Sequence, residues 1–508
     1  MKILSLENIL RLRNTLKSEG KRLILCHGHF NVIHPGHLRI LNYAKEQGDL
    51  LVVSILNDSE ILPALRQDFF SQEDRVKGVE ALRMVDVVYS LPGGVVDFIK
   101  ELKPDAYVKG REFEGTEDKE ILEELETVLQ CGGENLFSSG EVEYSVPRIY
   151  NESFILANSP KSNFMAVCKK NDIDFREVSK TVNTFNKLKM LVIGDSIVDQ
   201  FVGCDMLGVS SEAPVLAIRE LVAKDFIGGA AIVAHHIKSM GAECSYLSVL
   251  GNDSPADFVR RSCEEAGILS FLFQDKERPT TYKIRYMVDN QKILRVSRLK
   301  QHAINFDLEK KIIDKLKELI PHQDGVVISD FVYGVVTENI LENIRQIAAK
   351  HNVRVFGDLQ CSSQVGNVSK LSKIELITPT EKEARIAMGD YTSGLEKLAQ
   401  NLIKKTQNKH LVITLGAQGL LAYTRLDDMV VSEFFPALES NPVDVAGAGD
   451  AMLSAYALGL CSGLNLLESS ALGACASAIS VNRIGNIPIS KKEILEYLQE
   501  MNSFVKPL

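Results

Sequence analysis

The sequence predicts an α/β protein built from two successive parallel sheets with helices on both faces, the second sheet carrying a small antiparallel lid. Three observations predict it. Short apolar runs alternate with amphipathic helical stretches from residue 23 onward, the rhythm of a parallel sheet closed by crossover helices. That rhythm breaks over a polar stretch at 158–188 and resumes at Met190. Within the second series, Thr280–Val288 and Gln291–Val296 alternate in polarity around Asp289-Asn290, which fits a hairpin with a two-residue turn. The expected layout is a first domain at 1–157, a linker at 158–188 ending in one connecting helix, and a second domain at 189–508.

In the first series, Leu23–Cys26, Leu50–Ile55, Val85–Tyr89 and Asp105–Val108 fit buried strands, with helices over His37–Gln47 and Asp74–Arg83. Residues 117–126 (EDKEILEELE) predict a helix with a solvated, charged face. Met190–Ile193 opens the second series. Ala451–Leu467 is uncharged, but it is rich in Ser, Gly and Ala and follows a glycine turn, so it predicts a buried packing helix and no membrane span. No repeat of solenoid period is present.

Composition bounds the function. With 45% hydrophobic and 25% charged residues the chain is an ordinary globular protein, which excludes disorder and low-complexity roles. Acidic residues exceed basic ones, 67 against 58, and a net charge of −9 argues against a nucleic-acid partner. Nine cysteines without a CxxC pair give neither zinc nor disulfide spacing and fit a reducing, cytoplasmic setting. Glu7 interrupts the opening segment before any apolar run, so no secretory signal is expected.

Two segments carry chemistry. The first runs from His27 to His37 (HGHFNVIHPGH), directly after a strand and opening a helix. Gly28 lets backbone approach a phosphate, and the helix N-terminus points its amides at an anion. His34 and His37, separated by Pro35-Gly36, can bring two imidazoles to one phosphate and stabilise charge as pyrophosphate leaves. The competing reading is a set of surface, core or metal-site histidines. No further ligands at zinc spacing accompany them.

This segment resembles the cytidylyltransferase-like nucleotidyltransferases, whose mark is (T/S)-x-G-x-F-D-x-x-H-x-G-H. Gly28, Phe30, His34, Gly36 and His37 match it, and Val108–Phe113 resembles the family's V-K-G-x-(D/E)-(Y/F), with Lys109 as its lysine. The resemblance implies a Rossmann-like domain through about residue 150 that takes ATP, CTP or another NTP. His34 and His37 would be catalytic, and Gly28, Phe30, Gly36 and Lys109 would bind nucleotide. Asn31 stands where the family has Asp, Leu65-Arg66-Gln67 replaces a basic L-K-G loop, and 138–145 replaces a Ser-Thr-Thr helix start.

The second segment is Asp444–Asp450 (DVAGAGD) ahead of the small-residue helix. Its glycines free the backbone to wrap an anion, the helix start adds partial positive charge, and Asp450 can accept a proton from a hydroxyl attacking a γ-phosphate. A glycine turn kept for packing, with Asp450 as an N-cap, is the alternative. The stretch resembles the D-(T/V)-x-G-A-G-D signature of ribokinase-like (PfkB) sugar kinases. Asp195 and Asp199 resemble that family's sugar-binding carboxylates, Gly228-Gly229 its glycine pair, and Thr414, Gly416 and Gly419 its ATP-binding edge. The resemblance implies a ribokinase-like domain over about 189–500, with Gly447, Ala448 and Gly449 on nucleotide, Glu383 at Mg2+, and ATP as phosphoryl donor.

Within that family the heptose-phosphate kinase half of bifunctional ADP-heptose synthases is most similar. It matches at Ser211–Val215, Pro279–Arg285, Gln291–Arg295, Ser329-Asp330 and Gly334. Those enzymes carry a nucleotidyltransferase half as well; here the transferase-like half comes first. The implied activity is phosphorylation of a sugar or sugar phosphate, then nucleotidyl transfer giving an NDP-sugar such as ADP-heptose. The implied partners are sugar phosphates and nucleotides, in a homodimer paired through lid sheets. Arg285 and Arg295 would either grip a sugar phosphate or remain solvated lid charges. Ile232, Gln360 and Thr380 replace the family's Asn, Lys and Asn. One active half, or a nucleotide- or sugar-binding protein without turnover, are the alternatives.

Overall fold

The computed structural model describes residues 2–31, 33, 35–60, 70–110, 113, 116, 118–138, 160–209, 215–288, 291–360, 366–426, 429–439 and 442–504. His34, Arg66, the stretches 139–145 and 211–214 and the turn at 289–290 lie outside them. Two compact units form, Met1–Asn151 with Asp390–Asn401, and Glu152–Gly389 with Leu402–Leu508.

The first unit is built on a five-stranded sheet, ordered β3-β2-β1-β4-β5. Its strands are β1 (Leu23–Gly28), β2 (Leu50–Ile55), β3 (Val87–Ser90), β4 (Ala106–Gly110) and β5 (Glu134–Ser138). Every neighbouring pair is parallel. Because side chains alternate along a strand, β1 sends Ile24 and Cys26 into one apolar layer and Leu23 and Leu25 into the other. Strand order reverses beside β1, so the carboxyl ends of β1 and β4 flank the switch point where such sheets receive ligands. Gly28 ends β1 and Lys109-Gly110 end β4.

The second unit holds a nine-stranded sheet, β10-β9-β6-β13-β14-β15-β16-β17-β18. The strands are β6 (Lys189–Gly194), β9 (Glu243–Leu250), β10 (Leu269–Gln274), β13 (Gly325–Asp330), β14 (Arg354–Leu359), β15 (Leu376–Ile377), β16 (His410–Thr414), β17 (Gly419–Leu426) and β18 (Met429–Pro436). β10 to β16 are parallel; β17 and β18 return antiparallel. Where β6 passes β13, a Cβ on Gly194 would lie 1.8 Å from the Ser329 carbonyl oxygen. Overpacking costs about 1–3 kcal/mol, so Gly194→Ala is expected to destabilise this unit by at least about 2 kcal/mol in urea unfolding.

A second sheet forms the lid, ordered β12-β11-β7-β8, from β7 (Ser196–Val209), β8 (Leu216–Gly229), β11 (Thr281–Val288) and β12 (Gln291–Arg298). The expected hairpin is present, but the lid is not purely antiparallel. β11 runs parallel to β7, Thr281 facing Ile197. The reason is topological: β7 and β11 lead two separate antiparallel pairs, β7 with β8 and β11 with β12, joined side by side.

Within the expected linker, residues 160–188 hold more than one connecting helix. They form helices Pro160–Lys170 and Phe175–Asn183, whose Phe164, Cys168, Phe175, Val178 and Val182 are buried in the second unit's core. Apolar residues at helical spacing, masked by polar neighbours, decide this packing. The small-residue stretch 451–467 is not one helix but most of the buried helix Ala448–Cys461, a turn, and the start of Leu466–Val481, the two helices packed so closely that a Cβ on Gly473 would be 2.9 Å from the Tyr456 ring. Among the described residues no helix is long and apolar enough to cross a membrane.

Candidate active sites

In the second unit a cleft of about 490 Å³ opens at the strand ends. Thr414 ends β16 and Gly416 and Gly419 carry the chain into β17 on one wall; Gly447, Ala448, Gly449 and Asp450 form another; Asp358, Gln360 and Glu383 complete it. Gly447 caps the helix Ala448–Cys461 at φ 78°, a left-handed conformation that favours glycine, and a Cβ there would meet Asn486 Oδ1 at 2.7 Å. A Cβ on Gly449 would meet nothing within 4 Å, so the turn is open on that side.

Asp450 sits in the helix's first turn, buried yet lining the cleft. Gln360 Nε2 donates to its Oδ1 at 3.0 Å. Burial first, then the charge of Asp199, pushes its carboxyl up to about 7, against the opposing effects of Gln360 and Lys283. Beside it, buried Asp358 is held well above the usual carboxylate range by burial and by Glu383 and Asp450. Glu383 forms a capping box with Thr380: Thr380 N and Oγ1 donate to Glu383 Oε2 at 2.9 and 2.8 Å. Thr380 thus uses the acid as a helix cap.

Near the glycine pair, Asp199 is buried, accepting from Arg285 at Oδ1 and from Asn486 Nδ2 at Oδ2, 3.1 Å away. The glycine pair makes room for the two aspartates. A Cβ on Gly228 would lie 2.5 Å from Asp199 Oδ2, and one on Gly229, at φ 62°, would lie 2.3 Å from the Asp195 carbonyl oxygen. Asp195 is placed differently from a sugar ligand. Its carboxylate accepts the backbone N–H groups of Phe331, Tyr333 and Val335 at 2.9–3.3 Å, and burial followed by Asp330 raises it to about 6. Arg285 stacks over Phe201 at 5.2 Å, whereas Arg295, directly opposite it on β12, is exposed.

Three residues escaped the sequence. Lys283 is buried over the rings of Phe331 and Tyr333, at 5.1 and 5.3 Å. Lys292 Nζ donates to Asp444 Oδ1 at 3.0 Å, fastening the lid to the glycine turn. Asn486 joins that turn to Asp199. Lys283 stood in a quoted motif; nothing around Asn486 signalled its place. His235 and His236 diverge as helix geometry requires: His235 nitrogens lie 2.8 and 3.2 Å from the Ala231 and Ser262 carbonyls, and His236 Nδ1 accepts from Ile489 N.

In the first unit, Phe30 holds a left-handed backbone (φ 47°) and packs its buried ring 5.0 Å from that of His37, in the first turn of helix Pro35–Glu46. Gly28 lies under the same ring, its added Cβ 3.3 Å from Phe30 Cε2. The loop is pinned by buried Arg75, which donates to His29 O, Leu56 O and Phe70 O at 2.7–3.0 Å. Asn31 Oδ1 accepts Phe70 N at 2.8 Å, a structural use for the residue replacing Asp. Burial holds His27 down at about 3, so it is neutral, with Nδ1 3.0 Å from Ser54 Oγ.

Lys109 is 9% exposed, and its ammonium pairs at 2.7 Å with Glu124 Oε2, which also accepts Tyr107 OH. The helix Lys119–Gln130 is therefore not solvated all round: Glu124 is buried because it neutralises Lys109. Breaking a buried pair from one side costs about 3–5 kcal/mol, so Glu124→Ala should markedly lower the first unit's melting transition.

These features define a lidded α/β kinase scaffold with a glycine-turn aspartate, joined to a parallel-sheet unit of nucleotidyltransferase type. The chain belongs to the pfkB family of carbohydrate kinases, which matches residues 187–493; residues 25–140 match the cytidylyltransferase-like family. Among curated relatives, Bifunctional protein HldE of Helicobacter hepaticus is 29% identical over 319 residues, 62% of this chain and 64% of its own. That of Campylobacter jejuni subsp. jejuni is 32% identical over 314 residues, 61% and 65%. The chain thus covers slightly less than two thirds of these relatives' length. Phosphofructokinase-2 from Escherichia coli, solved in complex with potassium, shares the fold at TM-score 0.51 and 17% identity, over 62% of this chain and 99% of that one.

Proposed function

We propose that the chain is a bifunctional sugar-activating enzyme. The second unit transfers the γ-phosphoryl of ATP to a hydroxyl of a sugar or sugar phosphate of heptose type. The first unit joins a sugar 1-phosphate to an NTP, releasing pyrophosphate and giving an NDP-sugar such as ADP-heptose. The observation that carries this reading is Asp450, a buried carboxyl raised to about 7 at an open glycine turn in a nucleotide-sized cleft. It is the arrangement of a general base beside an anion cradle. The Gly447–Gly449 amides would face the triphosphate, and Thr414, Gly416 and Gly419 the nucleoside. Asp199 would hold the sugar, Arg285 would brace that carboxylate, and Arg295, at the lid edge, would reach an outlying phosphate. In the first unit His37, with His34, would meet the α-phosphoryl group, and Gly28, Phe30 and Gly36 would shape the nucleotide's approach.

Among the described residues no group of three or more His, Cys, Asp or Glu could hold a metal ion. Mg2+ carried on nucleotide phosphates needs only one or two protein carboxylates. Glu383 is the side chain that would hold it, and the ion would supply neutralisation of phosphate charge. The panel experiment is direct: Mg-ATP with heptose and hexose phosphates should yield ADP and then pyrophosphate, and no turnover with any sugar contradicts the reading. A one-headed enzyme is favoured by a single feature, the engagement of Lys109 by Glu124.

The homodimer reading draws support from the lid, where Leu216, Leu221, Val222 and Leu294 are each more than half exposed. A second copy covering these lid strands would be lost in Leu221→Asp/Val222→Asp, read as a halved mass in sedimentation.

A further inference from the structure

We propose that Gln360 is a positioning residue of the phosphoryl-transfer site: its amide fixes Asp450 Oδ1, aims the other carboxylate oxygen at the substrate hydroxyl, and sets where the base loses its proton. The inference rests on the reading of Asp450 as base. Gln360 follows β14 directly; its backbone N–H donates to the Asp330 carbonyl at 2.9 Å, which anchors the residue, and its side chain lines the cleft. Nε2 donates to Asp450 Oδ1 at 3.0 Å, and the same amide hydrogen-bonds the Asp358 carboxyl. No hydrogen bond to Asp450 Oδ2 exists among the described residues, so the Gln360 bond divides the two oxygens into one held and one available.

The charge around Asp450 shows why a neutral amide matters. Asp199 on β7 and Asp358 on β14 face it as acids, Lys283 on β11 as a cation, and Gln360 as the donor. Burial and the charge of Asp199 raise the base, while one cation and one amide lower it. The family pattern places Lys where Gln360 stands. A second cation would hold Asp450 ionised far below neutrality and weaken it as a base. An amide keeps the orienting hydrogen bond without the full charge, leaving a base matched to neutral pH.

The test is the pH profile of kcat with the sugar phosphate that the panel shows to be turned over. Gln360→Ala should move the acid limb upward by about one to two units, lowering kcat about tenfold at pH 6.5 with KM for ATP unchanged. Gln360→Lys should move it downward. Gln360→Glu, isosteric, should shift it upward too, and serves if the alanine variant does not fold. An equal loss at every pH, or a change confined to KM, overturns the proposal. If no sugar is turned over, the reading of Asp450 as base falls separately. The positioning is then read without substrate, from γ-13C-aspartate NMR of the full chain. The resonance missing in Asp450→Asn should titrate at higher pH in Gln360→Ala, and an unmoved midpoint overturns it.

Discussion

Asp450→Asn is expected to lower kcat for ADP production by roughly 100- to 10,000-fold, the usual worth of a positioned base, with ATP binding nearly unchanged. Asparagine preserves the shape and can still meet Gln360 through its own oxygen, so the glycine turn keeps its conformation. In the unsubstituted protein, kcat should fall about tenfold per unit below pH 7, because the proton accepted at about 7 disables the base. The stability consequence has the opposite sense. A carboxyl raised from 3.8 to about 7 in the folded state stabilises fully only below pH 4, and that contribution is lost as pH rises to 7. At pH 8 the asparagine variant should therefore melt at least as high as the parent. A lower melting temperature would mean that Asp450 is a structural cap.

His37→Ala is the counterpart in the first unit. Removing one imidazole from the α-phosphoryl group should lower pyrophosphate release by roughly 100- to 1,000-fold while ADP production stays unchanged. The His37 ring packs against Phe30, whose strained backbone shapes the loop. His37→Gln, which retains a donor, separates lost packing from lost chemistry. Recovery with glutamine would assign the ring a hydrogen-bonding role, and equal loss in both variants would assign it charge.

The sheets, the glycine turn and the residues that line its cleft were legible because each rests on local pattern: strand–helix alternation, a glycine at φ 78°, a carboxylate opening a helix. What escaped depends on long-range pairing. Glu124 looked solvated because its helix is charged overall, yet one position of that helix faces a lysine on β4. Asp195 matched a sugar-binding pattern, but its oxygens face backbone amides more than a hundred residues downstream. Asn486 lies close to the glycine turn and the lid's first strand only once the chain has folded, and no motif marks such a meeting. The 158–188 helices hid their apolar stripe among lysines and asparagines.

The proposed enzyme holds two independent phosphate-transfer sites on one chain. Following ADP and pyrophosphate together, with Mg-ATP and the sugar panel, in the parent, Asp450→Asn and His37→Ala proteins separates them. The parent should release ADP before pyrophosphate, and His37→Ala should release ADP alone. Asp450→Asn should release neither product until a sugar 1-phosphate with ATP or CTP restores pyrophosphate. ADP production undiminished in Asp450→Asn, or pyrophosphate release undiminished in His37→Ala, would contradict two independent sites.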